Sequence, residues 1–109
     1  MPGSKHSLVG VPLIDVTGTD QTIVTAPANR KVIYVVAYTI VASAATAIPS
    51  FKSGSTAITG GMIFAANGGA SPSAPGDDSW LFRTNPGDAL ILNLAGAGTV
   101  SGHLTYYLG

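Results

Sequence analysis

The stretch Lys31-Val-Ile-Tyr-Val-Val-Ala-Tyr-Thr-Ile-Val-Ala-Ser43 decides the fold class of this chain. Its β-branched and aromatic residues favour a β-strand, and polar residues interrupt it well before the roughly 20 apolar residues that a membrane-spanning helix needs. Because a two-layer sandwich covers only one side of each sheet, a strand that is apolar on both faces needs either a binding partner or a covering loop of the same chain on its second face. Simple alternation predicts one face with Val32, Tyr34, Val36, Tyr38 and Ile40, and a second face with Ile33, Val35, Ala37 and Val41.

Shorter strand signals lie on both sides of this stretch, and turn residues separate them. The turn at Asn85-Pro86-Gly87-Asp88, for example, has the proline and the glycine that tight turns favour. We expect the additional strands at residues 8–16, 21–26, 50–53, 56–65, 79–83, 89–94 and 99–108. Helix signals are nearly absent. The sequence therefore predicts an all-β fold, an antiparallel β-sandwich that is jelly-roll-like and has about eight strands.

The predicted domain organisation is an N-terminal segment, residues 1–19, followed by a β-sandwich domain, residues 20–109. Pro12 lies inside the alternating run of residues 8–16. Proline cannot donate a hydrogen bond to a neighbouring strand, so it is confined to edge strands and irregular positions. The N-terminal segment is therefore either an edge strand or an extended arm.

The low charge of this chain sets it apart from most soluble domains. Charged residues make up 9% of the sequence, against about 25% in an average domain. The hydrophobic fraction of 46% argues against disorder, and the five basic residues are scattered rather than gathered into the stripe that nucleic-acid binding needs. We therefore expect neither a nucleic acid nor a membrane as partner. A chain with so few charges is expected to cover its surface with copies of itself or with another protein.

Groups that carry out catalysis are sparse, and we expect no enzymatic activity, no cofactor and no metal site. The two histidines, His6 and His103, are too few for a zinc site within one chain, although three copies of His103 would converge if identical chains met around an axis. Asp77 and Asp78 are the only adjacent pair of carboxylates. Three roles are open for this pair: a solvated turn, an interface salt bridge with a basic residue, or a cation site.

Trp80 follows the longest predicted loop, residues 67–78, which is rich in Gly, Pro, Ser and Ala. Loops of this length in compact domains are usually functional or mobile. With Phe82 on the same predicted strand face, Trp80 is suited either to stack on a sugar ring or to pack in the core or against another subunit. The candidate residues for a subunit or capsid interface are Ile33, Val35, Val41, Trp80, Arg83, Asp77 and Asp78.

Two stretches taken together resemble a known family. The first is residues 31–43, followed by Phe51-Lys52-Ser53-Gly54-Ser55, Ile58-Thr59-Gly60 and Phe64-Ala65-Ala66-Asn67-Gly68-Gly69. The second is Asn85-Pro86-Gly87-Asp88-Ala89-Leu90-Ile91-Leu92-Asn93-Leu94, leading to Val100-Ser101-Gly102-His103-Leu104-Thr105-Tyr106. This texture of strands and glycine-rich turns, over residues 20–108, resembles the small capsid decoration (cement) proteins of tailed bacteriophages.

The resemblance implies a β-sandwich that forms a homotrimer and sits at local threefold positions of an icosahedral shell. Its partners would be its own copies and the major capsid protein, and its location would be the capsid surface of a virion assembled in the host cytoplasm. The family brings no catalytic residues, and the N-terminal segment would reach over neighbouring capsid subunits. The alternative is a phage tail or fibre-tip component, in which Trp80 and the loop of residues 67–78 bind a host receptor or a glycan.

Overall fold

The computed structural model describes residues 7–75 and 79–109, which contain nine β-strands and one short 3-10 turn at Ala28–Arg30. The all-β class predicted from the sequence is confirmed. The strands are β1 (Val9–Val16), β2 (Gln21–Val24), β3 (Ile33–Ala42), β4 (Ile48–Ser53), β5 (Thr56–Ala57), β6 (Gly69–Ala70), β7 (Phe82–Arg83), β8 (Leu90–Ala95) and β9 (Val100–Leu108).

The strands form two antiparallel sheets. In sheet 1 the order is β1-β9-β3-β6, with β7 also paired to β3, and in sheet 2 the order is β2-β8-β4-β5. The first four strands alternate between the sheets, and the last two return to fill the gaps: β8 lies between β2 and β4, and β9 lies between β1 and β3. This connectivity is that of a double-sheet jelly roll, as the sequence predicts.

One hydrophobic core lies between the two sheets. Phe51 of β4 is fully buried, and its ring centroid lies 5.2 Å from that of Tyr38 on β3 and 5.1 Å from that of Phe82 on β7. Burying each such side chain contributes about 1.5–3 kcal/mol. The predicted inward leucines of β8 are confirmed. The buried members of the core are Leu13, Val24, Ile33, Val35, Tyr38, Ile40, Ala42, Ala47, Phe51, Leu90, Leu92, Leu94, Val100 and Leu104.

Strand β3 contains one more residue than the part of β9 that it pairs with. Val35 pairs with Tyr106, whereas Ala37 pairs with Thr105, so Val36 is the extra residue of a β-bulge. The bulge exchanges the two faces of the strand. Ile33 and Val35 point into the core before it, and the inward residues after it are Tyr38, Ile40 and Ala42. The alternation predicted for the whole of β3 is therefore wrong beyond Val35.

Within the segment predicted as a long loop, residues 67–78, the stretch from Gly68 to Ala74 forms part of the edge of sheet 1. From Gly68 onward the chain runs antiparallel to β3, as far as Ala74, whose N–H donates to the Val36 carbonyl (2.7 Å). The chain returns at Leu81, whose N–H donates to the Val35 carbonyl (2.7 Å). Ala74 and Leu81 are therefore both held at the β3 bulge, next to each other on the sheet edge.

Two other predicted strands differ from the structure. The strand expected at residues 56–65 is limited to β5, because the chain bends at Ile58 and Thr59, whose N–H groups both donate to the Phe51 carbonyl; Ile58, Met62 and Phe64 still pack against the core. The strand expected at residues 79–83 is limited to β7, since the chain bends at Leu81.

The N-terminal segment is an edge strand over the residues of β1. Val11 pairs with Leu104 and Leu13 pairs with Gly102, and the Leu13 side chain is part of the core. Pro12 pairs with His103, which a strand at the edge of a sheet tolerates because no further strand requires its missing N–H. Residues 9–16 therefore belong to the sandwich rather than to a separate arm.

Candidate interaction surface

The outward side of sheet 1 forms a continuous surface across three strands, called here the neutral face. Directly paired residues on neighbouring antiparallel strands share a face, so the outward pairs of β3 and β9 define the rows of this surface, and β1 extends them. The neutral face consists of Tyr34, Ala37, Thr39 and Val41 of β3, Ser101, His103, Thr105 and Tyr107 of β9, and Gly10 and Pro12 of β1. Ile14 has no partner in the register and is assigned to this face because it is exposed and follows the inward Leu13.

Small and uncharged side chains dominate the neutral face. His103 is its one titratable side chain other than the two tyrosines, and it lies between Pro12 and Thr39 of the neighbouring strands. Asp15 borders one corner, where its Oδ1 accepts a hydrogen bond from Ser101 Oγ (3.1 Å). Arg83 borders the opposite end, next to Tyr34. A surface without charges in its middle can be covered by a protein partner without leaving an unpaired charge buried.

The outward side of sheet 2 differs in carrying an ion pair. Lys52 Nζ lies 3.0 Å from Asp20 Oδ1, and Asn93 Nδ2 donates to the same oxygen (3.0 Å). The hydrogen bond from Asn93, followed by that from Lys52, lowers the pKa of the Asp20 carboxyl below its ordinary value. This side is therefore the more solvent-adapted of the two.

Two features of the neutral face, one protruding and one recessed, lie on opposite sides of β9. On the β1 side, the Ile14 side chain is 75% exposed. On the β3 side, a depression of about 250 Å³ lies beside Val41, which is 44% exposed. Its lining presents mostly apolar atoms. This Val41 depression is lined by Thr39, Ile40, Val41, Gly69, Ala70 and Ser71.

An aromatic cluster occupies the end of the neutral face where β3 begins. The rings of Tyr34 and Tyr107 stack, and Trp80 meets Tyr34 at a centroid distance of 5.7 Å. The Arg83 guanidinium carbon lies 5.3 Å from the Trp80 ring centroid, a cation–π contact. Trp80 remains 42% exposed, so it forms the outermost part of the cluster.

The interface residues predicted from the sequence fall into three groups. Ile33 and Val35 have no exposed surface and belong to the core, so their assignment to a partner-facing surface is wrong; the β3 bulge explains the error. Val41, Trp80 and Arg83 lie on or beside the neutral face. Asp77 and Asp78 lie outside the described residues, and their three alternative roles stay predictions.

Trp80 and Phe82 do not share a face, contrary to the sequence prediction. The Phe82 ring contacts Tyr38 and Phe51 in the core, whereas Trp80 lies outside against Tyr34. The bend at Leu81 separates the two aromatic side chains. Trp80 is therefore free to contact a ligand or another subunit, and it does not lie in the core.

His103 is exposed at the middle of the neutral face. Across the described ranges, no three His, Asp or Glu side chains come close enough together to hold a metal ion. Nor does any helix in those ranges have the length and apolar character to cross a membrane.

A second concavity lies where the edge strands of the two sheets approach each other. This groove, of about 420 Å³, is lined by residues 11–17 of β1 and the following turn and by residues 21–23 of β2. The sequence predicts neither this groove nor the exposure of Ile14, because the run of residues 8–16 is compatible with both an arm and an edge strand. The signal was present in the strict alternation around Leu13, which points Ile14 outward once Leu13 is inward.

Comparisons with known proteins supply no assignment for this surface. No family model matches the chain, and neither a curated protein nor a solved structure is detectably similar to it.

Proposed function

We propose that this chain is a virion structural protein, a capsid decoration (cement) protein that forms a homotrimer and binds the outer shell of a tailed bacteriophage, with the major capsid protein as its second partner. The observation that carries the proposal is the neutral face, a strand surface with no charge in its middle on a jelly roll of unusually low charge. Its place of action would be the capsid surface, after assembly in the host cytoplasm.

The mechanism is the burial of surface rather than chemical catalysis. Burying apolar surface stabilises a contact by about 25 cal/mol per Å². Ile14 and Val41 offer such surface, and the small residues between them allow close approach of another backbone. Many copies on one shell add avidity, so that no single contact needs to be strong.

The direct test is reconstitution on the capsid of the phage that encodes the chain. Purified protein is added to shells that lack it, and its occupancy is measured by electron microscopy alongside the temperature at which the shells break. We expect saturable binding at repeated positions and a higher breakage temperature. Shells of an unrelated phage serve as the control. Absence of binding, with no change in breakage temperature, would contradict the proposal.

A tail or fibre-tip component that binds a receptor or a glycan is the second candidate, and the exposure of Trp80 favours it. An exposed indole held in place by Tyr34 and Arg83 offers a rigid surface to a sugar ring. Binding to a glycan array that is lost on Trp80→Ala and kept on Trp80→Phe would support this candidate. A wild-type chain that binds no glycan would count against it.

A further inference from the structure

We propose that copies of this chain join through the neutral face, with Ile14 of one copy seated in the Val41 depression of the next. This inference deepens the homotrimer within the proposed function and rests on that part of it alone. It does not depend on binding to a capsid.

The first argument is shape. Ile14 lies on β1, and the Val41 depression lies at the edge formed by β3 and β6, with β9 between them. Two to three strand spacings of about 4.8 Å, or about 10–14 Å in all, separate the two features within one copy. The isoleucine therefore cannot fill its own depression, and both are left for a neighbour. Such a contact between identical chains is either made twice across a twofold axis or runs head to tail and closes into a ring when the rotation allows, and the proposed trimer uses the second arrangement.

The second argument is charge. In a closed ring the strand between the two patches, β9, faces the symmetry axis, and residues near an axis meet their own copies. Any charge there would meet the same charge on each neighbour. The outward residues of β9 are Ser101, His103, Thr105 and Tyr107, which carry no charge when His103 is neutral. Copies of the chain that associate through the neutral face therefore bring no like charges together along β9.

The third argument concerns why the partner at the neutral face is a second copy of this chain rather than another protein. Both halves of the complementary pair, the exposed isoleucine and the apolar depression, are present on this chain, so that no other protein is needed to supply either. The opposite side of the sandwich carries the Lys52–Asp20 ion pair and stays suited to solvent. Ile63, which is 77% exposed, is as apolar as Ile14 but has no place on the neutral face, and so provides a matched control.

The test begins with the mass of the purified protein in solution, measured by light scattering at several concentrations. We expect wild type to be an oligomer and Ile14→Asp to have the mass of a single chain, while Ile63→Asp keeps the wild-type mass. Ser71→Trp, which fills the depression from its rim, is expected to dissociate the oligomer as well. Circular dichroism establishes that each variant is folded. A wild-type monomer, an intact Ile14→Asp oligomer, or equal dissociation by Ile63→Asp would overturn the proposal.

A cross-linking experiment tests the contact itself, because the chain has no cysteine of its own. In the double variant Ile14→Cys with Ser71→Cys, the separation within one copy exceeds the roughly 7 Å limit for a disulfide. Mild oxidation is therefore expected to give covalent species up to the closed ring, whose size counts the copies. Ile63→Cys with Ser71→Cys is the control. A double variant that stays uncross-linked would overturn the head-to-tail contact, whereas loss of capsid binding by an intact oligomer would overturn only the proposed function.

Discussion

Tyr34 and Tyr107 stack across β3 and β9, with ring centroids 4.8 Å apart and ring planes inclined by 14°. The two residues are directly paired in the strand register, and the stack buries Tyr107 on the outward side of the sheet. Tyr34 in turn supports Trp80. The exposed tryptophan is thus held by a pair that belongs to the rigid sheet rather than to the chain between Ala74 and Leu81, which carries it.

Replacing Tyr34 by leucine is expected to lower the free energy of unfolding by about 0.5–1.5 kcal/mol, the typical value of an aromatic pair beyond its buried area. Tyr34→Phe keeps the stack and is expected to stay close to wild type. Urea unfolding measures both, and the near-ultraviolet circular dichroism of Trp80 should weaken in the leucine variant alone. Equal losses in the two variants would show that the stack is not the stabilising contact.

Thr84 is a buried hydroxyl with a backbone role. Its Oγ1 accepts a hydrogen bond from the N–H of Ile33 (3.0 Å) at the start of β3. Thr84→Val keeps the shape but leaves this buried donor without a partner, which is expected to lower the free energy of unfolding by about 1–3 kcal/mol. Thr84→Ser retains the oxygen and serves as the comparison in the same denaturant titration. A valine variant as stable as the serine variant would contradict this account.

Gly102 of β9 lies against the backbone of β3. Its φ is 148°, and a Cβ at this position would overlap the carbonyl oxygen of Thr39. Gly102→Ala is therefore expected to destabilise the protein by more than about 1 kcal/mol. At Gly10, on the adjacent strand, an added Cβ would meet no other atom within 4 Å, so Gly10→Ala should change stability by less than about 0.5 kcal/mol. Thermal unfolding of the two variants distinguishes them, and similar melting temperatures would refute the close approach.

Tyr38 makes stability depend on pH in the alkaline range. Burial raises the pKa of its phenol above the ordinary value, since the charged form is poorly solvated inside the sandwich. The folded state then holds this proton more tightly than the unfolded state. The resulting stabilisation is fully present below the unfolded pKa of about 10 and is lost as the pH rises through the folded value.

Tyr38→Phe is accordingly expected to flatten the alkaline loss of stability. At neutral pH it removes only a hydrogen bond to Met62 Sδ (3.5 Å), so the change there should stay within about 1 kcal/mol. Denaturant titrations between pH 7 and 11 measure both effects. An unchanged alkaline slope in the phenylalanine variant would assign the dependence to other groups.

The sequence predicted the all-β class and the two layers of this fold, but it did not predict which residues of the longest strand, β3, face the core. Apolar residues fill both sides of β3, so a bulge at Val36 leaves no mark in the pattern. Strand β9 alternates between apolar and polar residues, and its inward residues Val100, Leu104 and Tyr106 were predicted correctly, whereas Leu108 at its end is exposed. The edge segment from Gly68 to Ala74 escaped prediction for another reason. Its pairing with β3 uses backbone groups, and a composition of Gly, Pro and Ser does not reveal them.

The same limits apply to the candidate surface. Trp80 is exposed because the chain bends at Leu81, and Val41 is exposed because of the bulge in β3. Neither the bend nor the bulge can be predicted from residue types. Ile14 was hidden by the uncertainty over its whole segment. The expectation of a covered surface has a different basis, because charge content is a property of composition and needs no strand register; it stays a prediction.

The chain between Ala74 and Leu81 is also a suitable place to insert a foreign peptide. Both ends are fixed by hydrogen bonds to adjacent residues of β3, Val36 and Val35, so the sheet on either side does not depend on how much chain lies between them. A foreign peptide spliced in between them would begin and end at two backbone positions that the sheet holds side by side. If the protein repeats over a shell, each particle would then display the graft in a regular array.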